Sequence, residues 1–181
     1  MNTSTRPRYS LIVREASELL AKLDITKPPI AVDRIAEHIG AKIVYNDFRQ
    51  EISGLLMRKG DQLIIGVASE QSQVRQRFTI AHELGHALLH NIQNVHVDKA
   101  FNVMFRSSAS SDGQDVLEIE ANAFAAELLM PEEMLSSDLT NVPLDMENGE
   151  QLSHFANRYE VSVQALTYRL LNLISRNRLH L

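Results

Sequence analysis

Two histidines four residues apart, His82 and His86, are the side chains of this chain best suited to chemistry, because they flank a glutamate, Glu83. In an α-helix, residues i and i+4 share one face and lie about 6 Å apart along the axis. Both imidazoles can therefore offer a ring nitrogen to one metal ion. Glu83 is turned about 100° away, where it misses the ion but reaches a water beside it. This pattern on a helix is typical of zinc peptidases.

A catalytic zinc site needs a third protein ligand and an open fourth position. His90 continues the histidine stripe, but it lies about 12 Å from His82 on the same helix, too far to share one ion. We expect His90 behind the ligands or at the surface. Glu118, on a later helix, is the candidate for this third ligand. Alanines on the same face of that helix allow the helix to pack closely against the one that carries the histidines. Glu120 points elsewhere on that helix and is the fallback metal ligand.

Further side chains are candidates for supporting roles. Asn122 lies one turn after Glu118, where it can fix the ring of a ligand histidine through its second nitrogen. No spacing identifies the group that would stabilise the oxyanion of a reacting peptide. Four side chains are candidates, although an ordinary packing or surface role is the simpler interpretation of each: Tyr45, His96, Arg106 and Tyr159.

Composition restricts the class of protein. The chain has 181 residues, 44% of them hydrophobic, which is enough for a sizeable core. It has no cysteine, which excludes disulfides, thiolate ligands and cysteine nucleophiles, so any zinc must be held by histidine and carboxylate. A net charge of −5 argues against bulk attraction to nucleic acid. A polar start and the lack of a long apolar run predict a cytoplasmic protein without a membrane segment.

Apolar periodicity predicts the elements that position these residues. Helices are predicted at residues 11–23, 31–39, 74–92, 117–130, 151–159 and 162–175. Strands are predicted at residues 41–45, 52–57 and 62–67, the last two forming a hairpin. Loops are predicted at residues 93–115, with a serine-rich cluster at 107–113, and at 136–149. Together these elements predict an α+β fold with a small antiparallel or mixed three-stranded sheet packed on helices.

Two stretches of the chain together resemble the ImmA/IrrE family of metallo-endopeptidases. One is residues 75–90, which contain the His-Glu pattern, and the other is residues 118–131, which begin Glu-Ile-Glu-Ala-Asn. With the upstream Ile52-Ser53-Gly54, the resemblance covers most of residues 10–135. One departure is the end of the third strand, Val67-Ala68, where such proteins often have Val-Asn.

The resemblance implies a zincin-like fold of the gluzincin type. It implies one zinc ion per chain, held by His82, His86 and Glu118, with Glu83 as the general base. It further implies that the partner and substrate is a helix-turn-helix repressor, whose cleavage switches on phage, mobile-element or stress genes. The edge of the hairpin before the motif is where we expect a substrate to add as a strand.

The chain divides into a predicted metallopeptidase domain, residues 1–135, and a C-terminal helical segment, residues 136–181, packed on the same core. The segment has the spacing of a helix-turn-helix, with Ser162 as the N-cap of its second helix. The side chains expected near the exposed face are Gln164, Thr167, Tyr168 and Arg169. Such a segment either contacts DNA or closes the core beneath the zinc helices. The acidic charge of the chain favours the second interpretation, so direct DNA binding is the less favoured one.

Two classes of function remain open. The first is a zinc endopeptidase that cleaves a repressor. The second is a regulatory or toxin-like binding module of a two-gene system, with a weakly catalytic or structural zinc site. Glu83 favours the first, because a structural site has no use for a base. A structural site is also closed by a fourth protein ligand, and the spacing of the residues offers none.

Overall fold

The structure, a computed structural model, describes residues 6–48, 52–90, 95–99, 113–140, 142 and 144–176. Its elements in chain order are α1 (Tyr9–Lys22), α2 (Val32–His38), β1 (Ala41–Asn46), β2 (Ile52–Lys59), β3 (Gln62–Ala68), α3 (Gln73–Leu89), β4 (Val95–Lys99), α4 (Gly113–Leu129), α5 (Glu132–Leu139), α6 (Gly149–Tyr159) and α7 (Val163–Ser175). The predicted α+β class is confirmed. Among the described residues, no helix has both the length and the apolar character needed to cross a membrane.

The strands form one mixed sheet in the order β1-β3-β2-β4. β2 and β3 make the predicted hairpin, which turns at Gly60 with a φ of 60°, a conformation that glycine adopts without strain. β1 runs parallel to β3, and β4 runs antiparallel to β2. Among the described residues the sheet thus has four strands, where the sequence predicted three. β4 also covers the hairpin edge at which we expected a substrate to add.

α3 and α4 approach each other closely because small residues line their contact. A Cβ atom added at Gly85 of α3 would lie 3.1 Å from the Cα atom of Ala121 and 3.2 Å from the Cβ atom of Phe124 on α4. Ala121 and Ala125 are fully buried in this contact region. The close packing leaves little room between the two backbones. As a result, Glu118 at the start of the contact stands next to the histidines of α3.

The C-terminal helices share the core of the preceding elements. Apolar side chains of α6 and α7 belong to the same buried cluster as those of α1 to α4: Leu152, Phe155, Tyr159, Leu166, Leu170 and Leu173. Ser162 caps α7 as expected, its Oγ accepting from the Ala165 N–H at 3.1 Å. Arg169, however, is only 10% exposed and pairs with Glu127 of α4 at 2.6 Å. The prediction that Arg169 lies near an exposed recognition face is wrong, because that face of α7 packs on α4.

β4 lies within the predicted loop 93–115, and the second half of α5 lies within the predicted loop 136–149. β4 has five residues, which are too few to show a clear alternation of apolar and polar side chains. Pairing with β2 stabilises the strand. α5 follows Pro131, begins with two acidic residues and buries Leu135 and Leu139. Acidic residues in the first turn are typical of helices, so the sequence contained a pattern that predicts this helix. α4 begins at Gly113, four residues earlier than predicted, and α3 ends at Leu89 instead of residue 92. Residues 107–112 of the serine cluster and Arg106 lie outside the described residues.

Candidate metal centre

Three side chains from α3 and α4 converge on one point. His82 and His86 are fully buried, and their Nε2 atoms are 3.0 Å apart. The carboxylate of Glu118 lies across from them, with Oε2 3.3 Å from His82 Nε2 and Oε1 3.4 Å from His86 Nε2. Two imidazole nitrogens and a carboxylate facing a common centre are a donor set that suits a zinc ion.

A fourth side chain, His96 of β4, joins this cluster. Its Nε2 atom is 3.1 Å from Glu118 Oε1, and its ring centroid is 4.0 Å from that of His86. One potential ligand atom from each of the four residues, His82, His86, His96 and Glu118, lies within 4.8 Å of the others. The expectation that no fourth protein donor stands near the site is therefore wrong. Spacing along the chain could not reveal it, because His96 reaches the site through strand pairing opposite Leu56.

Asn122 fixes the orientation of one imidazole. Its Oδ1 atom is 3.1 Å from Nδ1 of His82. An amide oxygen only accepts hydrogen bonds, so Nδ1 of His82 carries a proton and donates it to Asn122. The lone pair of His82 Nε2 is then directed at the cluster. The structure thus brings Asn122 and His82 together in the arrangement that the sequence suggested.

A chain of three side chains orients the other imidazole. Glu120 accepts from Arg8 at 2.6 Å and from Nε2 of His90 at 3.0 Å. Burial raises the pKa of Glu120, but the hydrogen bonds and charge of Arg8 outweigh it and hold the pKa at about 2. His90 then has its proton on Nε2, so its Nδ1 accepts from Nδ1 of His86, 3.0 Å away. His86 Nε2 is left with a lone pair that faces the cluster.

Glu120 is therefore not among the four clustered donors, although it was the fallback ligand. It lies on a different side of α4 from Glu118, as the helical offset between the two requires. His90 lies behind His86, one of the two positions expected for it, and its side chain is 3% exposed. Both residues act on the cluster through His86.

The protonation states of the cluster suit metal binding. Burial lowers the pKa of His86 to about 4 and also lowers the pKa of His90, so both rings are neutral at neutral pH. Burial raises the pKa of Glu118, but close contacts with His82, His86 and His96 outweigh it and hold the pKa well below its usual range. Neutral imidazole and ionised carboxylate are the forms that bind a metal ion.

Glu83 lies on α3 between His82 and His86 in the sequence and faces β2. It is fully buried. A Cβ atom added at Gly54 of β2 would lie 2.7 Å from Oε1 of Glu83 and 2.5 Å from Cγ2 of Thr79. The glycine thus leaves the space that the Glu83 carboxylate occupies beside the strand. The carboxylate is held next to the sheet edge on which β4 lies.

The other candidates for oxyanion stabilisation lie away from the cluster. Tyr45 is half exposed on β1, at the opposite edge of the sheet. Tyr159 is buried in α6, and its hydroxyl donates to Asp138 at 2.8 Å. Burial raises its pKa, and the bond to Asp138 raises it further. Of the four candidates, His96 is the one that the described structure brings to the cluster of His82, His86 and Glu118.

Comparison with known proteins identifies similar sequences. The model of a peptidase family described as the IrrE N-terminal-like domain matches residues 36–171, an interval that crosses the predicted boundary at residue 135. The chain is also similar to an uncharacterized immunity region protein 2 of Bacillus phage phi105. The two are 29% identical over 136 residues, which cover 75% of this chain and 78% of the phage protein.

Two further relatives are metallopeptidases by name. The radiation response metalloprotease IrrE of Deinococcus deserti is 33% identical over 107 residues, which cover 59% of this chain and 35% of that protein. Metallopeptidase ImmA of Bacillus subtilis is 35% identical over 99 residues, covering 54% of this chain and 52% of ImmA. The matched region thus spans about a third of IrrE and about half of ImmA.

A solved structure resembles the fold. It is a Mycobacterium tuberculosis transcriptional regulator, which superposes with a TM-score of 0.60 and covers 88% of this chain and 46% of that chain. The sequence identity is 13%, so the likeness concerns the fold alone.

Proposed function

Because the chain belongs to the ImmA/IrrE family of metallopeptidases, which have a zincin-like α+β fold, we propose that it is a zinc-dependent endopeptidase. His82, His86 and Glu118 hold the zinc ion in this proposal, and Glu83 is the general base. The observation that carries it is the convergence of two buried imidazoles and an ionised carboxylate beside a buried glutamate.

The donors of the cluster support zinc as the metal. They are imidazole nitrogens and a carboxylate oxygen, which zinc binds in catalytic sites, and the chain offers no thiolate. Both ligand histidines have the tautomer that directs Nε2 at the centre, so no rearrangement of the rings is needed on binding. When bound, zinc supplies Lewis-acid chemistry, which lowers the pKa of a water and polarises a peptide carbonyl.

We predict that His90→Leu weakens zinc binding although His90 is not a ligand. The substitution removes the acceptor for the Nδ1 proton of His86 and leaves the Arg8–Glu120 pair in place. Loss of such a supporting group typically weakens metal affinity by about 10- to 100-fold. Competition with a chromophoric chelator measures the dissociation constant. The matched control is His38→Leu at an exposed position on α2, and equal affinities of the two variants would contradict the orienting role.

Glu83 performs the proton transfers of hydrolysis. Its carboxylate takes a proton from the attacking water as the water oxygen bonds to the peptide carbon. It then delivers that proton to the amine nitrogen as the carbon–nitrogen bond breaks. The rigid packing of Glu83 against β2 supports this role, because a base must be held within hydrogen-bond reach of the reacting water.

We predict that Gly54→Ala impairs cleavage without removing the metal ligands. The added methyl group would meet the Glu83 carboxylate at 2.7 Å and Thr79 at 2.5 Å, and both side chains are fully buried. Glu83 must therefore move, and a displacement of about 1 Å in an active site can cost about 10²-fold in rate. Cleavage rate and zinc content are measured on the same preparation. A wild-type rate in this variant would show that the position of Glu83 beside β2 does not matter.

The substrate class in this proposal is a helix-turn-helix repressor that acts in the cytoplasm. The support comes from the names of the relatives, one a phage immunity region protein and one a radiation response metalloprotease. Cleavage of a repressor switches genes on. This outcome would suit both phage immunity and a response to radiation.

Co-expression with the proteins encoded by neighbouring reading frames tests this proposal. We expect one of them to be cut into two fragments, identified by intact mass, only when zinc-binding wild-type chain is present. The control is a chain with Glu83→Gln. A search of all neighbouring proteins that finds none cut, or equal cutting with the control, would contradict the endopeptidase assignment.

One observation favours a second candidate function. With His96 in the cluster, four protein donors surround the centre, and structural zinc sites are closed in this way. The chain would then be a regulatory or toxin-like binding module with a structural zinc ion. Glu83 has no role in such a site, so the behaviour of His96 decides between the two functions.

A further inference from the structure

β4 lies where a substrate strand would be expected. A peptidase that binds its substrate by strand addition needs a free sheet edge beside the reacting groups. In the described structure that edge belongs to β2, because Gly54 of β2 abuts the Glu83 carboxylate. The edge is taken by β4, which pairs antiparallel with β2. A substrate strand and β4 cannot pair with β2 at the same time.

His96 stands where a catalytic zinc ion would need an open coordination position. It lies opposite Leu56, whose side chain is buried, so His96 points from β4 towards α3. There its ring contacts His86 and Glu118. A catalytic zinc keeps one position free for water and substrate, whereas a fourth protein donor fills that position. With His96 as a fourth donor, the centre would keep no position for a peptide carbonyl.

β4 is a short strand at the edge of the sheet. It has five residues, and in the described part of the chain its outer edge pairs with no strand. The side chains that flank His96 add little burial, since Val95 is 54% and Val97 is 42% exposed. Short edge strands with solvated side chains open at low free-energy cost compared with core strands. Strand exchange at β2 is therefore possible without unfolding the core.

We propose that β4 is an internal inhibitory strand, which holds the substrate edge of β2 and uses His96 as a displaceable fourth ligand that closes the metal centre. A substrate strand replaces β4 on β2, and the same exchange withdraws His96. This inference rests on the proposed function for its meaning, but the closure of the centre can be measured without a substrate.

Acetohydroxamate binding to the cobalt-substituted chain measures how open the centre is. This small chelating ligand needs free coordination positions, and its binding changes the visible spectrum of Co²⁺. If the closed arrangement outnumbers the open one by about ten to one, His96→Ala should bind acetohydroxamate about tenfold more tightly than the wild type. His38→Ala, an exposed histidine on α2, is the matched control and should not change the affinity. Equal affinity in wild type and His96→Ala would overturn the proposal.

A reversible lock tests the strand itself. Leu55 and Val97 are paired across β2 and β4, and opposed residues in antiparallel strands are about 4.5–5.5 Å apart at Cα, within disulfide range. The natural chain has no cysteine, so Leu55→Cys with Val97→Cys creates one defined pair. The oxidised form should bind acetohydroxamate more weakly than the wild type and should not cleave, and reduction should restore both. Failure of the pair to oxidise, or equal cleavage in both redox states, would overturn the proposal.

The two proposals fail in different ways. If His96→Ala binds acetohydroxamate more tightly but no variant cleaves any protein, the closure stands and the peptidase assignment falls. If cleavage occurs and His96→Ala abolishes it without changing acetohydroxamate affinity, His96 is a catalytic group and the inhibitory role is contradicted. With both proposals correct, His96→Ala cleaves faster than the wild type.

Discussion

Glu83→Gln is expected to abolish cleavage of the partner protein while the chain keeps its fold and its zinc ion. Glutamine has nearly the same shape as glutamate, so the packing against Gly54 and Thr79 is preserved. It cannot accept a proton from water, and general base catalysis contributes about 10²–10⁴-fold in rate. None of the ligand atoms of the cluster is changed. The loss therefore appears in the rate and not in the affinity for zinc.

The single-turnover cleavage rate and the zinc content of the same sample measure this effect. Glu37→Gln, an exposed glutamate on α2, is the matched control and should behave as the wild type. A rate for Glu83→Gln within a few-fold of the wild-type rate would remove Glu83 from the mechanism. Loss of zinc from the variant would show that Glu83 supports the metal centre instead.

Glu118→Ala is expected to remove most of the affinity for zinc. Glu118 contributes the negative charge of the cluster, and its carboxylate contacts all three histidines. Structural zinc sites with four ligands bind with about 10–16 kcal/mol, so one ligand corresponds to roughly 3 kcal/mol, or about 10²-fold in affinity. The buried histidines remain, but without the carboxylate the cluster has no anionic donor to offset the charge of the ion.

Competition with a chromophoric chelator measures the affinity, and elemental analysis measures the zinc content. Glu133→Ala, an exposed glutamate on α5, is the matched control. If Glu118→Ala retained one zinc ion per chain with wild-type affinity, the third ligand would have to be another residue. Glu120 is a poor substitute, because Arg8 and His90 already engage its carboxylate.

The parts of the cluster that depend on helical periodicity could be predicted from the sequence. His82 and His86 share a face because helical periodicity fixes residues four apart, whatever the rest of the fold does. Glu118 could be predicted as a neighbour of the histidines, because the small residues that follow it indicate a close contact between two helices. The hairpin of β2 and β3 also has a local cause in its turn. The histidine pair and the hairpin depend on residues close together in the sequence, whereas Glu118 reaches the histidines through the contact between α3 and α4.

The features that were missed depend on contacts between distant residues. His96 enters the centre only because β4 pairs with β2 in one register, and five residues carry too little pattern to predict that pairing. Arg8 binds Glu120 across 112 positions of sequence, so the chain of bonds that orients His86 has no local signature. Glu120 was accordingly predicted as the fallback ligand, whereas Arg8 and His90 bind its carboxylate.

Anomalous diffraction at the zinc absorption edge, from crystals of the chain loaded with one equivalent of zinc, tests the metal assignment most directly. We expect one peak per chain, within about 2.0–2.2 Å of Nε2 of His82 and His86 and of a carboxylate oxygen of Glu118. A peak at any other group of residues, or no peak between α3 and α4, would contradict the assignment of this cluster as the metal centre.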